Sequence, residues 1–506
     1  MLINTQKITL KQHKPLIKKN IIDKTSHLLV ILPAPEKDIK KPLEWPNFPY
    51  SEALQKRWKE RTASGKEQPL LVTDLPNGSA TRVFLTTTRA DCNTYERLNQ
   101  AREIITAALA DNPTSLTLVM PGLNEGQQRQ SAEALISAAL AACHALPSFK
   151  KDTPTTSKLK TIHIYGCETT LNTKRLLAEA DGNNLARSLT ALPPNKLSPK
   201  DYLKQIRTLA RAQGWKLGFL DQKILAQKKA GAFLAVSQGS AHKDAGIVHL
   251  RYTPAKPRKG ARSLALVGKG ICFDTGGTNL KPAKFMHGMH EDMQGSAVAL
   301  GTLLTLSQLQ VPFAIDCWLA LAENHIGPLA YKQNDVVTAC NGTSIEIMHT
   351  DAEGRMVLAD TLALAARKKP DLIIDYATLT GTCIYALGTR YSGAFSNRDA
   401  LHNTLIASGK DSGERVWPFP LDDDFDEGLE SQVADVKQCT LGGEPDHILA
   451  ARFLQRFVAD LPWVHIDLAA GNNKGGLAHI PSDITGFGVR YTTNLILDQD
   501  IWHAID

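Results

Sequence analysis

The sequence predicts an α/β protein. An N-terminal α/β domain, residues 1–170, is joined by a helix to a larger C-terminal α/β domain, residues 171–506, whose mixed, mostly parallel sheet is covered by helices. Three observations carry this. The chain has 506 residues, too many for one ordinary core. Short apolar or β-branched runs alternate with helical stretches along most of its length. Near residue 170 the alternation gives way to a long helical stretch that ends at Pro193-Pro194, where two prolines stop a helix.

In chain order, the first domain offers strands at Leu28–Leu32, Val83–Thr87, Leu116–Met120 and Thr161–Tyr165, each a short apolar or β-branched run. Between them, Tyr95–Leu109 and Glu125–Leu146 are rich in Ala, Leu, Glu and Gln and read as helices. The polar segment Lys150–Lys160 is a loop before the last strand. Thr173–Leu192 is the connecting helix. The second domain offers strands at Gly246–Tyr252, Ser263–Val267, Ala314–Leu319, Ser344–Met348, Leu372–Tyr376 and Val464–Leu468, with helices at Met293–Gln308, Met356–Lys368 and Asp446–Val458. Strand-then-helix repetition implies a doubly covered sheet, whose ligands sit beyond the carboxyl ends of its strands.

Composition narrows the function classes. Hydrophobic residues make up 43% and charged residues 22%, an ordinary globular balance. No apolar run reaches the length of a signal peptide or a membrane span. The eight cysteines are scattered, with no CxxC pair or zinc-ribbon spacing, which suits reduced thiols in a cytoplasmic protein. Residues 1–170 carry 23 Lys+Arg against 16 Asp+Glu, so that third holds the whole net charge of +7. A basic surface of this kind is either solvated or a contact for DNA. No helix-turn-helix or aromatic-basic nucleic-acid motif accompanies it.

Two segments carry chemistry, and both begin where a strand ends. The first runs Val267-Gly-Lys-Gly-Ile-Cys-Phe-Asp-Thr-Gly-Gly277, then Asn279-Leu-Lys-Pro282 and His290-Glu-Asp-Met293. The second is His349-Thr-Asp-Ala-Glu-Gly-Arg355. Asp351 and Glu353, two apart on extended backbone, point to one side. Paired carboxylates are costly without a counter-charge. Asp274 at a strand end and Asp292 at a helix start bring the carboxylates to four, with Lys269 and Lys281 among them. An oxygen-rich cluster suits Mn, Mg, Co or Zn, and four carboxylates suffice to bridge two ions that clamp a water nucleophile. The alternative is surface salt bridges, Lys269 with Asp274 and Lys281 with Asp292. The full dinucleotide-binding and P-loop patterns are absent, as are HExxH and G-x-S-x-G.

These residues resemble the cytosolic leucine aminopeptidase family. Its NTDAEGR signature is matched by His349-Thr-Asp-Ala-Glu-Gly-Arg355, and its VGKG…FD…GG…LKP…DM run by residues 267–293 with the same spacings. Asn184-Leu-Ala-Arg187, Pro193-Pro-Asn195 and Ala377-Thr-Leu-Thr-Gly381 also match. The resemblance implies a macro-like N-terminal domain, a C-terminal catalytic domain and an aminopeptidase of leucine-type preference acting on peptides, assembled as a homohexamer. It implies two divalent ions per subunit, Mn or Zn. Asp274 and Glu353 would bridge them, Lys269 and Asp292 would bind the tighter one, and Asp351 the more exchangeable one. Lys281 would polarise the scissile carbonyl, and Arg355 would hold a bicarbonate acting as general base. Met289, Ala352, Thr378 and Gly381 would border the side-chain pocket, beside His349.

The chain also departs from the family pattern. His349 stands in place of the usual Asn, either altering substrate preference or adding a metal contact, or else as a tolerated polar swap, and Thr275 stands in place of Ser. The run Gly475–Gly488 differs from the common ending, and His465 and His479 in this C-terminal region read as structural, because the proposed ligand set is complete without them.

Overall fold

The computed structural model describes residues 7–34, 45–62, 70–152, 156–258, 260–442 and 444–505. Thr153, Pro154 and Thr155 of the expected Lys150–Lys160 loop lie outside these residues. The chain divides into two compact units. One comprises Asn4–Ala180 with Gly475–Asp483, and the other Asp181–Lys474 with Ile484–Asp506. The division falls inside the helix Thr173–Thr190. No helix among the described residues is long and apolar enough to cross a membrane. All eight cysteines are free.

The N-terminal unit is built on a six-stranded sheet. Its spatial order is Thr9–His13, Thr161–Tyr165, Ser115–Val119, His27–Ala34, Arg82–Arg89 and Leu71–Asp74. Only the last pair is antiparallel. The helices Thr94–Leu109 and Glu125–Ala142 each start at a capping box. Asn93 accepts from the Glu96 N–H and Asn124 from the Gln127 N–H, satisfying donors that a helix start leaves open. Their apolar faces pack with Leu29, Ile31, Leu116, Leu118, Ile162 and Ile164 in one core. Gly475–Asp483 joins this unit through Ala478 in that core and the Arg102 Nη1 bond to the Ile480 carbonyl at 3.2 Å.

The C-terminal unit holds an eight-stranded mixed sheet. Its order is Val416–Pro418, Ser392–Ser396, Trp463–Asp467, Leu372–Ala377, Ser263–Asp274, Ala314–Asn324, Gly246–Tyr252 and Lys216–Asp221. The four central strands, Trp463–Asp467 to Ala314–Asn324, are parallel, and antiparallel pairs flank them. Being covered on both faces, the central strands read as nearly continuous apolar runs. Ala265 and Val267 point to one face and pack with Met356, Val357 and Leu362 of the helix Glu353–Ala366. On the other face the helix Gln294–Gln308 lies very close. A Cβ on its Gly295 would stand 2.0 Å from the Tyr376 carbonyl oxygen, so only glycine fits.

Two strands are longer than their apolar runs suggest. Ser263–Val267 continues to Asp274, and Ala314–Leu319 to Asn324, because each extension pairs with the other across the sheet. The helix after the second motif begins at Glu353, not Met356. Polar residues of a first helical turn leave no apolar period to mark them.

Candidate metal centre

The site gathers at the carboxyl ends of the central strands. Lys269 and Asp274 come from Ser263–Asp274, Asn324 ends the neighbouring strand, and Thr378 follows Leu372–Ala377. Gly276, at a φ of +84°, turns the chain back after Asp274, and the returning segment brings Lys281. A short 3-10 turn, Met289–Glu291, delivers Asp292. Asp351 lies in a turn and Glu353 at the start of a helix. The two side chains therefore share a side through a turn into a helix, not through the strand alternation expected of them.

Among the described residues, carboxylate oxygens of Asp274, Asp351 and Glu353 lie within 4.8 Å of one another. Lys269 Nζ stands 2.7 Å from Asp292 Oδ1 and 2.9 Å from Glu353 Oε1, and donates to the Thr378 carbonyl at 2.8 Å. Lys281 Nζ stands 3.0 Å from Asp274 Oδ2 and also contacts Asp351. Gly354 makes room for Lys269. A Cβ there would come within 2.7 Å of Lys269 Cε and 2.8 Å of its Nζ.

These are not surface salt bridges, and the pairing is opposite to the alternative raised from sequence. Lys269 and Asp274 lie on one strand, but a register shift near Ala322 and Asn324 gives that strand one extra residue between them, so both side chains reach this centre and each lysine meets carboxylates from other segments. Lys269, Asp274, Asp292 and Glu353 are all buried. Asp351 is the most open of the carboxylates, with 26% of its side chain exposed.

Burial raises the Asp274 carboxyl well above its usual range, and the adjacent Glu353 and Asp292 carboxylates push it further. Burial likewise lifts Asp292 to about 7, against the pull of Lys269. For Glu353 burial pushes upward, but Lys269 and Lys281 outweigh it and hold the group below its usual value. Burial pulls both ammonium groups down, yet the carboxylates overcome it and hold Lys269 and Lys281 above the usual lysine value.

Four carboxyl groups meet only two ammonium groups, and the upward push on Asp274 and Asp292 is the cost of gathering them without a further cation. Asp292 Oδ2 is buried and has no hydrogen-bond donor. Divalent cations fit this donor set. Lys269, Asp274, Asp292, Asp351 and Glu353 are the residues placed to hold them, and a lysine ligand would have to shed its proton.

Two members of the surrounding shell, Asn324 and Gln438, went unseen in the sequence. Asn324 Nδ2 donates to Asp274 Oδ1 at 2.8 Å and to the Thr350 carbonyl at 3.0 Å. Thr378 Oγ1 donates to Asp292 Oδ1 at 2.7 Å. Thr350 accepts from the Asn279 N–H at 2.8 Å, tying the two motifs together. Gln438 follows the short strand Val436–Lys437 and is fully buried. Its Oε1 accepts from the Met348 and His349 N–H groups at 2.8 and 3.2 Å, and its Nε2 donates to the Ala352 carbonyl at 3.2 Å. Of these two, only Asn324 had a sequence signal, a run of polar residues closing an apolar strand.

The residues expected at the side-chain pocket are spread around this centre. Thr378 and Ala352 touch it as described. His349 Nδ1 accepts from the Asp351 N–H at 3.2 Å. Met289 is half-buried three residues before Asp292, and Gly381 is exposed at the start of the helix Gly381–Leu387. His465 lies elsewhere, fully buried, its Nδ1 2.7 Å from Asp375 Oδ1, which is a structural role.

Arg355 does not offer an open anion site. Its Nη2 donates to both carboxylate oxygens of Asp446, at 2.8 and 2.9 Å, and its Nη1 to the Gln438 carbonyl at 2.9 Å. Only 2% of the Arg355 side chain is exposed, and Nε is buried without a partner. A bicarbonate ion therefore does not fit Arg355 in this arrangement.

Comparison with known proteins accords with this geometry. A probable cytosol aminopeptidase of Stutzerimonas stutzeri is 44% identical over 330 residues, covering 64% of each chain. The match to the protein of that description from Rhodopseudomonas palustris spans 63% of its length at 42% identity. This chain therefore covers less than two thirds of these relatives. A probable cytosol aminopeptidase of Pseudomonas syringae pv. syringae is 37% identical over 456 residues, covering 85% of this chain and 88% of its own. A mutant of tomato leucine aminopeptidase superposes with a TM-score of 0.84 at 26% identity, covering 98% of this chain and 97% of its own. Residues 184–493, which contain every residue of the carboxylate–lysine cluster, match the catalytic domain of the cytosol aminopeptidase family, and this chain belongs to that family.

Proposed function

We propose that this protein is an aminopeptidase of leucine-type preference that removes residues singly from the N-terminus of peptides, using two divalent ions, manganese or zinc. The observation that carries the reading is the cluster of buried Asp274 and Glu353 with the more open Asp351, within 4.8 Å and flanked by two lysines. Asp274 and Glu353 would be shared by the two ions, with Lys269 and Asp292 on one and Asp351 on the other. When bound, such ions supply Lewis acidity and a water acidified enough to attack at neutral pH.

The chain's own residues do the rest. Lys281, held protonated by the surrounding carboxylates, can donate hydrogen bonds to the scissile carbonyl oxygen as negative charge develops on it. Thr378 and Asn324 fix the orientation of Asp292 and Asp274. Met289, His349, Ala352, Thr378 and Gly381 would border the first side chain of the peptide. His349 keeps a hydrogen bond to the Asp351 backbone, so its effect falls on specificity before metal binding.

The test is hydrolysis of leucine-p-nitroanilide by metal-stripped protein, before and after adding manganese, zinc or cobalt. Metal-restored release of p-nitroaniline is expected. Replacing Lys281 with alanine should then lower turnover by about 100- to 1,000-fold with folding intact. Full activity in a folded Lys281→Ala protein would remove the electrophile role. Silence with every metal and with a panel of other N-terminal residues would remove the aminopeptidase reading.

A further inference from the structure

Arg355 sits in the first turn of the helix Glu353–Ala366, two residues after Glu353. Asp446 lies 91 residues further along the chain, at the first position of the helix Asp446–Gln455. Both carboxylate oxygens of Asp446 gather on Arg355 Nη2, while the backbone of Gln438 takes Nη1. Gln438 is the residue whose side chain clasps the backbone at Met348, His349 and Ala352. The Arg355–Asp446 pair is thus tied into the segment that carries Asp351 and Glu353. Arg355 is buried, but 33% of the Asp446 side chain is exposed, so the outer edge of this carboxylate faces solution.

A guanidinium selects planar, two-oxygen anions by charge and fork geometry. A carboxylate and a bicarbonate are the same ligand in that respect. Where the chain already supplies the carboxylate, a second anion would stand against a like charge and lose the donors it needs. We propose that Asp446 fills the anion place of Arg355 with a carboxylate of the chain itself, so that this protein binds no free bicarbonate there. Asp446 is a positioning residue in this arrangement. It holds the Arg355 guanidinium beside the motif, as a bound anion otherwise would.

The inference rests on the aminopeptidase reading only for its activity arm. The probe is 13C-labelled bicarbonate, titrated into the full-length zinc-loaded protein and followed by its NMR linewidth. Wild-type protein should broaden the line little. A folded Asp446→Ala protein should bind bicarbonate at least about tenfold more tightly, the ratio expected when a charge-assisted hydrogen-bond pair is vacated. In carbon-dioxide-free buffer, added bicarbonate should leave wild-type activity within about twofold and raise that of Asp446→Ala by about tenfold. A merely structural salt bridge would give a weakened variant that bicarbonate does not rescue, and that result overturns the proposal. So does saturable bicarbonate binding, or bicarbonate stimulation, in the wild type, an arm that needs no variant to fold. Should the protein prove inactive on every substrate, the linewidth arm still decides the matter, and the two readings fail separately.

Discussion

Asn324 carries no charge, yet replacing it with alanine is expected to weaken metal binding by about 10- to 100-fold, the usual effect of losing a partner that orients a ligand. Its amide donates to Asp274 Oδ1 at 2.8 Å and to the Thr350 carbonyl at 3.0 Å, from a fully buried position. Neither acceptor is orphaned by the change. Asp274 Oδ1 keeps the Gly276 N–H at 2.8 Å, and the Thr350 carbonyl keeps the Tyr331 hydroxyl at 2.7 Å. The cost to the metal-free fold is then two hydrogen bonds, about 1–3 kcal/mol in all. The larger consequence is orientational, because the carboxylate proposed to be shared by both ions loses one of the two donors that aim its Oδ1. Competition of zinc between the protein and a chromophoric chelator reads the affinity, and turnover at saturating metal separates binding from chemistry. A folded Asn324→Ala protein with zinc affinity within about twofold of wild type would refute this account of how Asp274 is positioned.

Two further outcomes are expected beside those for Lys281 and Asp446. Gly354→Ala places a Cβ 2.7–2.8 Å from Lys269 Cδ, Cε and Nζ, so the lysine must move. A displacement of that kind is expected to cost about 100-fold in kcat/KM, and activity within a few-fold of wild type would show that Lys269 has room the structure denies it. Asp316 is held below the usual carboxylate value. Burial pushes it up, but the His249 hydrogen bond at 2.5 Å and the Arg251 charge at 2.7 Å outweigh that. A depressed carboxylate stabilises the fold above its unfolded pKa and loses that contribution as pH falls through its folded value. Asp316→Asn should therefore lower stability at pH 7, by about 1 kcal/mol because solvent reaches 43% of the Arg251 side chain and screens the pair. The gap should close as pH falls below about 4, and urea midpoints that differ equally at pH 7 and pH 3 would contradict it.

The parts of the fold legible in the sequence are those whose signal is local. Thr161–Tyr165 shows its β-branched and apolar residues plainly, and the strand has those bounds. The helices at Tyr95–Leu109 and Glu125–Leu146 showed in their composition, while the caps that start them, Asn93 and Asn124, emerged only with the structure. The start at Glu353 was hidden because Asp351-Ala-Glu-Gly-Arg355 has no apolar period. The far ends of the two central strands were hidden because Gly268, Lys269 and Gly270 interrupt the first apolar run and Glu323 and Asn324 close the second, while pairing between the two strands carries both to their ends.

The candidate site divides along the same line. Sequence alone named Lys269, Asp274, Lys281, Asp292, Asp351 and Glu353, because charged residues interrupting glycine-rich strand ends have no packing role to explain them. Which lysine faces which carboxylate depends on the register shift in Ser263–Asp274 and on the turn at Gly276, and tertiary structure alone decided it. Asn324, Gln438 and Asp446 reach the site across 50, 86 and 91 residues of chain. A hydrogen bond between such distant residues leaves no periodicity in either segment, because it is set by where two separately folded elements come to lie. The family and the ligand types were therefore written in two short motifs. The state of Arg355, already joined to a carboxylate of its own chain, came only from folding.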